Sequence, residues 1–434
     1  VYVGGRVVGK PVKKFIFARC KQLDYIVNGG KKLCGSLDVY GAKNCALTLL
    51  AATILTDEEV VLTNCPQIVD VDNMLLLLSA VGKRVRRVGD VVSVRGAPTT
   101  AEIPRDIACL LRGSALLLAP CLARCGAVTL PLPGGCAIGA RPMDIHVDGL
   151  RAMGVDVVDN GDSLRCVGKS HGTNYSLRFA SVGATENLIC AAASGVGEFV
   201  LSNCALEPEV VALTQMLVQM GTHIDGVGRS TLHIVGCGKL HGTEFHVIPD
   251  RIVAATYLSA VIASGGELTL RNCVPSHFAA FAQTVCDNFT FRHTQTEAYI
   301  RVKRQPRGYG HIVTAPYPAF HTDMQSQVLS LAALSRGRTY VTERLFENRL
   351  RHNCQMLQRM GAEISLLGDT ARVDGRRLHC AEVTSADLRG GAALVVAALG
   401  AEGTTVVHDE GHISRGYVGF ADALCSVGAD IQTR

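Results

Sequence analysis

The chain has no Trp, and Phe, Tyr and Trp together make up only 5% of it. It carries 45 Gly instead, so tight turns and small-residue packing sites are expected. No stretch reaches the roughly 18 apolar residues that a membrane span requires. No Cys-x-x-Cys occurs either. The closest spacing, Cys121 to Cys125, has no His pair beside it, which argues against a zinc site. Charge is sparse and mixed: 19% of residues are charged and the net charge is +5. That is too mild for a nucleic-acid binder, which shows a concentrated basic stripe. Residues 1–22 are basic, through Arg6, Lys10, Lys13, Lys14, Arg19 and Lys21, but lack a clean apolar signal-peptide core. They are read as a tail without an assigned role.

What is present is apolar and long. With 434 residues and 48% hydrophobic content, a globular chain of two or more domains is expected. The 17 Cys do not suggest an oxidised framework, which suits short secreted chains. Most stand where Ala or Val would also fit, as in Asn64-Cys65 and Asn203-Cys204. They are read as reduced, small core residues, which implies the cytoplasm.

An internal repeat organises the chain. Leu-x-x-(Met/Val)-Gly-x-x-(Val/Ile) occurs at Leu78–Val85, Leu150–Val157, Leu217–Ile224, Leu357–Ile364 and Leu424–Ile431. The period is about 70 residues. A degenerate copy, Thr284–Phe291, fills the one double gap, with Asn288 in the glycine position. Asn there is expected to adopt the left-handed conformation that Gly adopts elsewhere. Each copy predicts a helix that stops at Gly, then a strand. Another strand precedes each helix, as in Val60–Leu62, Val128–Leu130 and Phe199–Leu201. The fold class read from this is α/β, built of α+β repeats. Two globular domains of three units suit the length better than a solenoid.

Polar residues gather in the loops between strand and helix, where a repeated scaffold carries sites. In Pro133–Asp144, Gly134 and Gly135 flank Cys136 and let backbone amides approach an anion, with Arg141 and Asp144 following. An incidental surface loop is an equal reading. Lys43 follows Gly41-Ala42 at the start of an apolar helix, where an anion is welcome; a solvated Lys is the plainer alternative. Asp323 opens a helix after Pro316 and Pro318, either as an N-cap or as a fixed base. Arg349 and Arg415 occupy equivalent loops and suit carboxylate or phosphate, unless they are ordinary surface Arg.

Taken together, nine motifs carry a resemblance. They are PGGCAIGARP from Pro133, GAKN from Gly41, SVGAT from Ser181, EPE from Glu207, PDRI from Pro249, FxTDMQ from Phe320, FENR from Phe346, DLR from Asp387 and RGY from Arg415. The chain resembles, from about Tyr25 to Arg434, the UDP-N-acetylglucosamine 1-carboxyvinyltransferase family of enolpyruvyl transferases. The sister family of the shikimate pathway lacks the Cys-bearing loop. The resemblance implies two inside-out α/β domains with helices enclosed by sheets, residues 43–248 and 22–42 plus 249–434, and a site in the cleft between them.

It also implies roles, with phosphoenolpyruvate and UDP-N-acetylglucosamine as substrates and no metal or organic cofactor. Cys136, Asp323, Lys43, Arg141 and Arg415 match catalytic positions, Cys136 as proton donor and Asp323 as base toward the sugar 3-hydroxyl. Lys43 and Asn44 match the phosphoenolpyruvate pair, and Arg389 supports Arg415. Arg112, Arg141, Pro142, Met143, Asp144, Ile145, Phe179, Ala180, Ser181, Val182, Asp323 and Leu345 match nucleotide-sugar contacts. The chain departs from the family at Phe179 and Val69, where Lys is common, and at Leu206 and Val253, expected at the cleft edges. A non-catalytic nucleotide-sugar-binding paralogue and a transferase for another acceptor are the competing readings.

Overall fold

The computed structural model describes residues 22–132, 142–346 and 348–434. Among these the strands form six sheets, five of four strands and one of three. Each sheet belongs to one repeat. In the first, Val60–Thr63 pairs parallel with Thr243–His246 and antiparallel with Val91–Arg95, which pairs with Arg84–Val88. The same parallel-then-antiparallel order recurs around Val196–Ser202, Gly266–Arg271, Gly337–Thr342 and Thr404–Asp409. The three-stranded sheet keeps only a single bridge, Glu102 to Thr129, in place of its parallel strand.

Every repeat contributes two helices, one more than the glycine pattern announces. The outer ones end at the predicted glycines, and Gly82, Gly154, Gly221, Gly361 and Gly428 all have positive φ, between 83° and 105°. Asn288 corrects the expectation made for it: it is absent from the left-handed residues, and Asp287 before it is right-handed (φ −55°, ψ −30°). The left-handed Asn residues are Asn64, Asn203 and Asn272, each just after a strand. Their side-chain amides donate to the carbonyls of Val247, Leu177 and Val39, tying the turn to the neighbouring parallel segment.

The additional helices lie inside. Lys43–Ala52, Leu118–Cys125 and Val182–Ala193 pack into one hydrophobic cluster spanning Ala42 to Val247. Arg251–Ser264, Gln325–Leu334 and Leu388–Gly400 pack into a second, spanning Tyr25–Val39 and Ile252–Ile431. All ten residues of Gln325–Leu334 are buried. A helix with no exposed face belongs in a core, and here the sheets supply the cover. This is the inside-out arrangement the resemblance implies. No helix among the described residues is long and apolar enough to cross a membrane.

The cysteines divide. Nine of the fifteen described are buried, Cys65 and Cys204 among them, and six are exposed, including Cys34, Cys109 and Cys380. Burial pushes the Cys65 and Cys204 thiols up to about 12. The blanket reading of cysteine as a core residue is therefore too broad. Val253 is a second correction: expected at a cleft edge, it is fully buried in the second cluster.

Candidate active site

The inner helices place the candidate residues. Lys43 and Asn44 begin the first; Arg112 begins the short helix Arg112–Leu117 leading into the second; Ser181 and Val182 begin the third. In the other half Arg251, Asp323 and Arg389 stand at the starts of the three remaining inner helices or of the turn leading into one. Six helix starts thus share one feature, the positive partial charge of a helix N-terminus, which favours anions.

One buried carboxylate joins the two halves. Asp70, in the first turn of helix Val69–Ala80, is 1% exposed. It accepts from Lys43 Nζ at 2.5 Å and from Arg415 Nε at 2.9 Å. Lys43 comes from the first half and Arg415 from the short helix Ile413–Arg415 of the second. Burial would raise the Asp70 carboxyl, but the two cations outweigh it and the net shift is downward. Burial also pulls Lys43 below its ordinary value, helped by Arg415 and Arg389 and opposed by Asp70. The Lys43 backbone N–H donates to Asp250 at 3.1 Å, and Asp250 also caps helix Arg251–Ser264. The first inner helix of each half therefore starts on the same side chain.

Asp323 does not cap a helix. It lies in the turn Thr322–Met324, where the His321 side chain accepts its N–H. Its Oδ1 accepts from Arg349 Nη2 at 2.9 Å. Burial would raise its carboxyl, but Arg349, His321, Arg389 and Arg251 together hold it well below the usual carboxylate range. Arg349 is 3% exposed, not a solvated surface residue, and also donates to Thr322 Oγ1 at 2.7 Å. Glu343 braces this corner, accepting from Thr314, from Thr322 and from the backbone N–H of Leu345 at 2.8 Å. Arg389 is 4% exposed, with its guanidinium 5.7 Å from the centre of the Tyr417 ring.

Beside these lies a buried ionic group. Arg251 pairs with Glu209 at 3.3 Å, and His321 stands 3.5 Å from Glu207. Both contacts bridge the two halves. Asp70, Asp250, Glu343 and the Arg251–Glu209 pair were not singled out as site residues from the sequence. Glu209, Asp250 and Arg251 do stand in the EPE and PDRI motifs, and each acid lies in the segment just after a strand or at a helix start.

The nucleotide-sugar candidates divide: Asp323 and Leu345 lie in the second half, and the other described ones lie on the first. Arg112 Nη2 lies 3.8 Å from Met143 Sδ. Asp144 begins helix Asp144–Ala152 and pairs with Arg178, which also reaches Asp148 at 2.5 Å. Pro142 is exposed; Ile145 and Val182 are half-buried against the first cluster. Phe179 is 42% exposed, and its carbonyl accepts from Ser181 N at 2.7 Å, with Ala180 between them. Cys136 and Arg141 lie outside the described residues.

Comparison with known proteins agrees on the family. Residues 27–424 match the family model described as EPSP synthase (3-phosphoshikimate 1-carboxyvinyltransferase). A relative from Caldanaerobacter subterraneus subsp. tengcongensis is 42% identical, covering 93% of this chain and 98% of its own. It is named UDP-N-acetylglucosamine 1-carboxyvinyltransferase 2. A Granulibacter bethesdensis protein, named UDP-N-acetylglucosamine 1-carboxyvinyltransferase, is 41% identical over 94% of this chain and 98% of its own. Among solved structures, the enolpyruvyl transferase NikO from Streptomyces tendae superposes with a TM-score of 0.84 at 23% identity, over 95% of this chain and 99% of its own. An EPSP synthase from Acinetobacter baumannii gives 0.73 at 17%, over 95% and 100%. At such identities the two structures speak for the fold.

Proposed function

The chain belongs to the 1-carboxyvinyltransferase (enolpyruvyl transferase) family, and from that premise we propose that it transfers the enolpyruvyl group of phosphoenolpyruvate to the 3-hydroxyl of UDP-N-acetylglucosamine. Phosphate is released, and the product opens peptidoglycan synthesis in the cytoplasm. The observation that carries the reading is the Lys43–Asp70–Arg415 bridge. It gathers cations from both halves around one anion, with Arg389 close enough to lower Lys43. Phosphate and carboxylate of phosphoenolpyruvate need such a cluster. The two halves, 43–248 and 22–42 plus 249–434, act as domains that close on the ligand; their separate hydrophobic clusters support this.

In the first step the acceptor hydroxyl oxygen bonds to C2 of phosphoenolpyruvate, the hydroxyl proton passes to Asp323, and Cys136 protonates C3. The tetrahedral intermediate then returns a C3 proton to the Cys136 thiolate while its C2–O bond to phosphate breaks, and Asp323 gives its proton up to the departing phosphate. Asp323, ionised and held low by Arg349, is a weak base. It takes the proton late, once the forming C–O bond has made the hydroxyl acidic. Arg112, Met143, Asp144 and Phe179–Val182 bind the nucleotide sugar.

A phosphate-release assay with both substrates tests this. Release that requires both supports it; binding without release is the outcome for a non-catalytic paralogue. A phosphonate-bearing epoxide, docking as phosphoenolpyruvate does, should alkylate Cys136 ahead of the six exposed cysteines described above. Cys136→Asp should resist alkylation and keep some activity, because a carboxyl donates a proton but is a poor nucleophile. Adduct mapping by mass spectrometry that finds another Cys modified first, or full activity in Cys136→Ala, removes Cys136 from the mechanism.

A further inference from the structure

Five of the six repeats shut the end of their outer helix in the same way. After the left-handed Gly, the amides of Lys83, Val155, Thr222, Ala362 and Ala429 donate back to Leu78, Leu150, Leu217, Leu357 and Leu424, at 3.0–3.1 Å. This is the Schellman closure. The carbonyl just before each Gly then accepts from the incoming segment. Thr99 donates to Val81, His171 to Met153, His241 to Met220, His379 to Met360 and Cys34 to Val427, all within 2.8–3.0 Å.

The repeat around helix Ala279–Cys286 breaks both steps. With Asn288 in place of Gly and not left-handed, the Phe289 amide reaches only Cys286, at 2.9 Å. Arg307 is the counterpart of His171 and His379: it forms the same parallel bridge, to Arg336, as they form to Val196 and Glu402. Among the described residues it makes no backbone hydrogen bond to Asp287. Where the other repeats have a closed joint, this one has a cavity of about 430 Å³ between that helix and the segment Gly308–Val313.

We propose that this cavity binds an uncharged or amine-bearing monosaccharide-sized polyol. Gln283, Asp287 and Asn288 on one wall and His311 on the other supply planar donors and acceptors. Hydroxyl groups, which both donate and accept, need that mixture. Tyr309, Ile312, Val313 and Phe320 also line it and supply its apolar part. Asp287 is its one lining carboxylate and no Lys or Arg lines it, which disfavours phosphates. The volume lies in the range of small-ligand sites. Phe320, 8% exposed, stands three residues before Asp323, so an occupant touches the segment that carries the candidate base.

The test is ligand-observed saturation-transfer NMR on the full chain with glucose and glucosamine, and inorganic phosphate as competitor. Both sugars should bind, glucosamine more tightly through Asp287, and phosphate should not displace them. Thr284→Trp, which fills the cavity, and Gln283→Ala, which removes one partner, should each weaken binding, by about tenfold for the filled cavity. Phosphate release in the absence of free sugar should be unchanged in both variants. Absence of a signal from either sugar, displacement by phosphate, or binding that survives both substitutions overturns the proposal.

Discussion

The two halves differ in what they do with the starts of their inner helices. In the second half two of the three are capped by carboxylates. Asp250 accepts from Ile252 and Val253, and Asp387 from Arg389 and Gly390. Three charged side chains there are almost fully buried: Arg251 and Arg389 at 4%, Arg349 at 3%. In the first half Ala42, Leu117 and Ser181 precede their helices without any side-chain cap. Exposure does not separate the halves: side-chain exposure is 13% at Lys43 and 46% at Asp144 in the first, and 17% at Asp323 and 30% at Arg415 in the second. Capped starts have spent N–H groups on the residue just before the helix, whereas in the first half the Lys43 and Ala119 N–H groups donate to Asp250 and Asn187, far away in the chain. The second half is thus a pre-set charge array with locally capped helix starts, and the first borrows its caps from distant side chains.

The largest expected effect attacks the pre-set half. Asp323→Asn keeps the shape and removes the proton acceptor, so kcat should fall by about 10²-fold or more with KM little changed. Steady-state phosphate release measures both, and near-normal turnover would move the base elsewhere. Because Arg349 and its neighbours hold this carboxyl low, wild-type kcat should show no loss from Asp323 until the pH drops well below the ordinary carboxylate range.

A smaller effect is expected where the halves meet. Asp70→Asn leaves Lys43 and Arg415 facing each other without their shared anion. Losing charge-assisted hydrogen bonds of this kind should lower kcat/KM for phosphoenolpyruvate by about tenfold. If instead the variant binds phosphoenolpyruvate more tightly, Asp70 is a competitor for the cations and not their anchor. Titration of the variant with phosphoenolpyruvate alone separates the two.

The smallest test concerns the first half's core. Glu186, in helix Val182–Ala193, is 5% exposed, and burial raises its carboxyl to about 8, with Glu209 and Glu207 adding to the shift. Its folded value exceeds the ordinary glutamate value of 4.5, so the folded state holds the proton more tightly. The stability this contributes is present at low pH and is lost as pH rises toward and through about 8. Glu186→Gln should flatten that loss and raise the melting temperature at alkaline pH relative to wild type, by a few degrees at most. Melting curves at acid and alkaline pH check it; parallel curves for the two proteins would show that Glu186 is ionised throughout.

The repeat was legible because it rests on local rules. A Gly after an apolar helix demands positive φ, and five such positions at one spacing announce five like units whatever surrounds them. The sixth was legible as a copy but not in its geometry. Whether Asn turns left-handed depends on what it can hydrogen-bond, and Asn64, Asn203 and Asn272 have parallel-segment carbonyls to bond to. The Arg349 environment was missed for a similar reason: its burial depends on Thr322 and Asp323, 27 and 26 residues away in the chain.

By itself the sequence determined the six-unit architecture, the apolar inner helices and the residue types at their starts, since periodicity, turn chemistry and helix polarity act over short range. Only the tertiary structure decided which charges meet. Asp70 lies 27 residues from Lys43 and 345 from Arg415, and no local pattern encodes a contact across such separations. Folding each half around its own helices brings those starts together, and burial there turns scattered single charges into one coupled cluster.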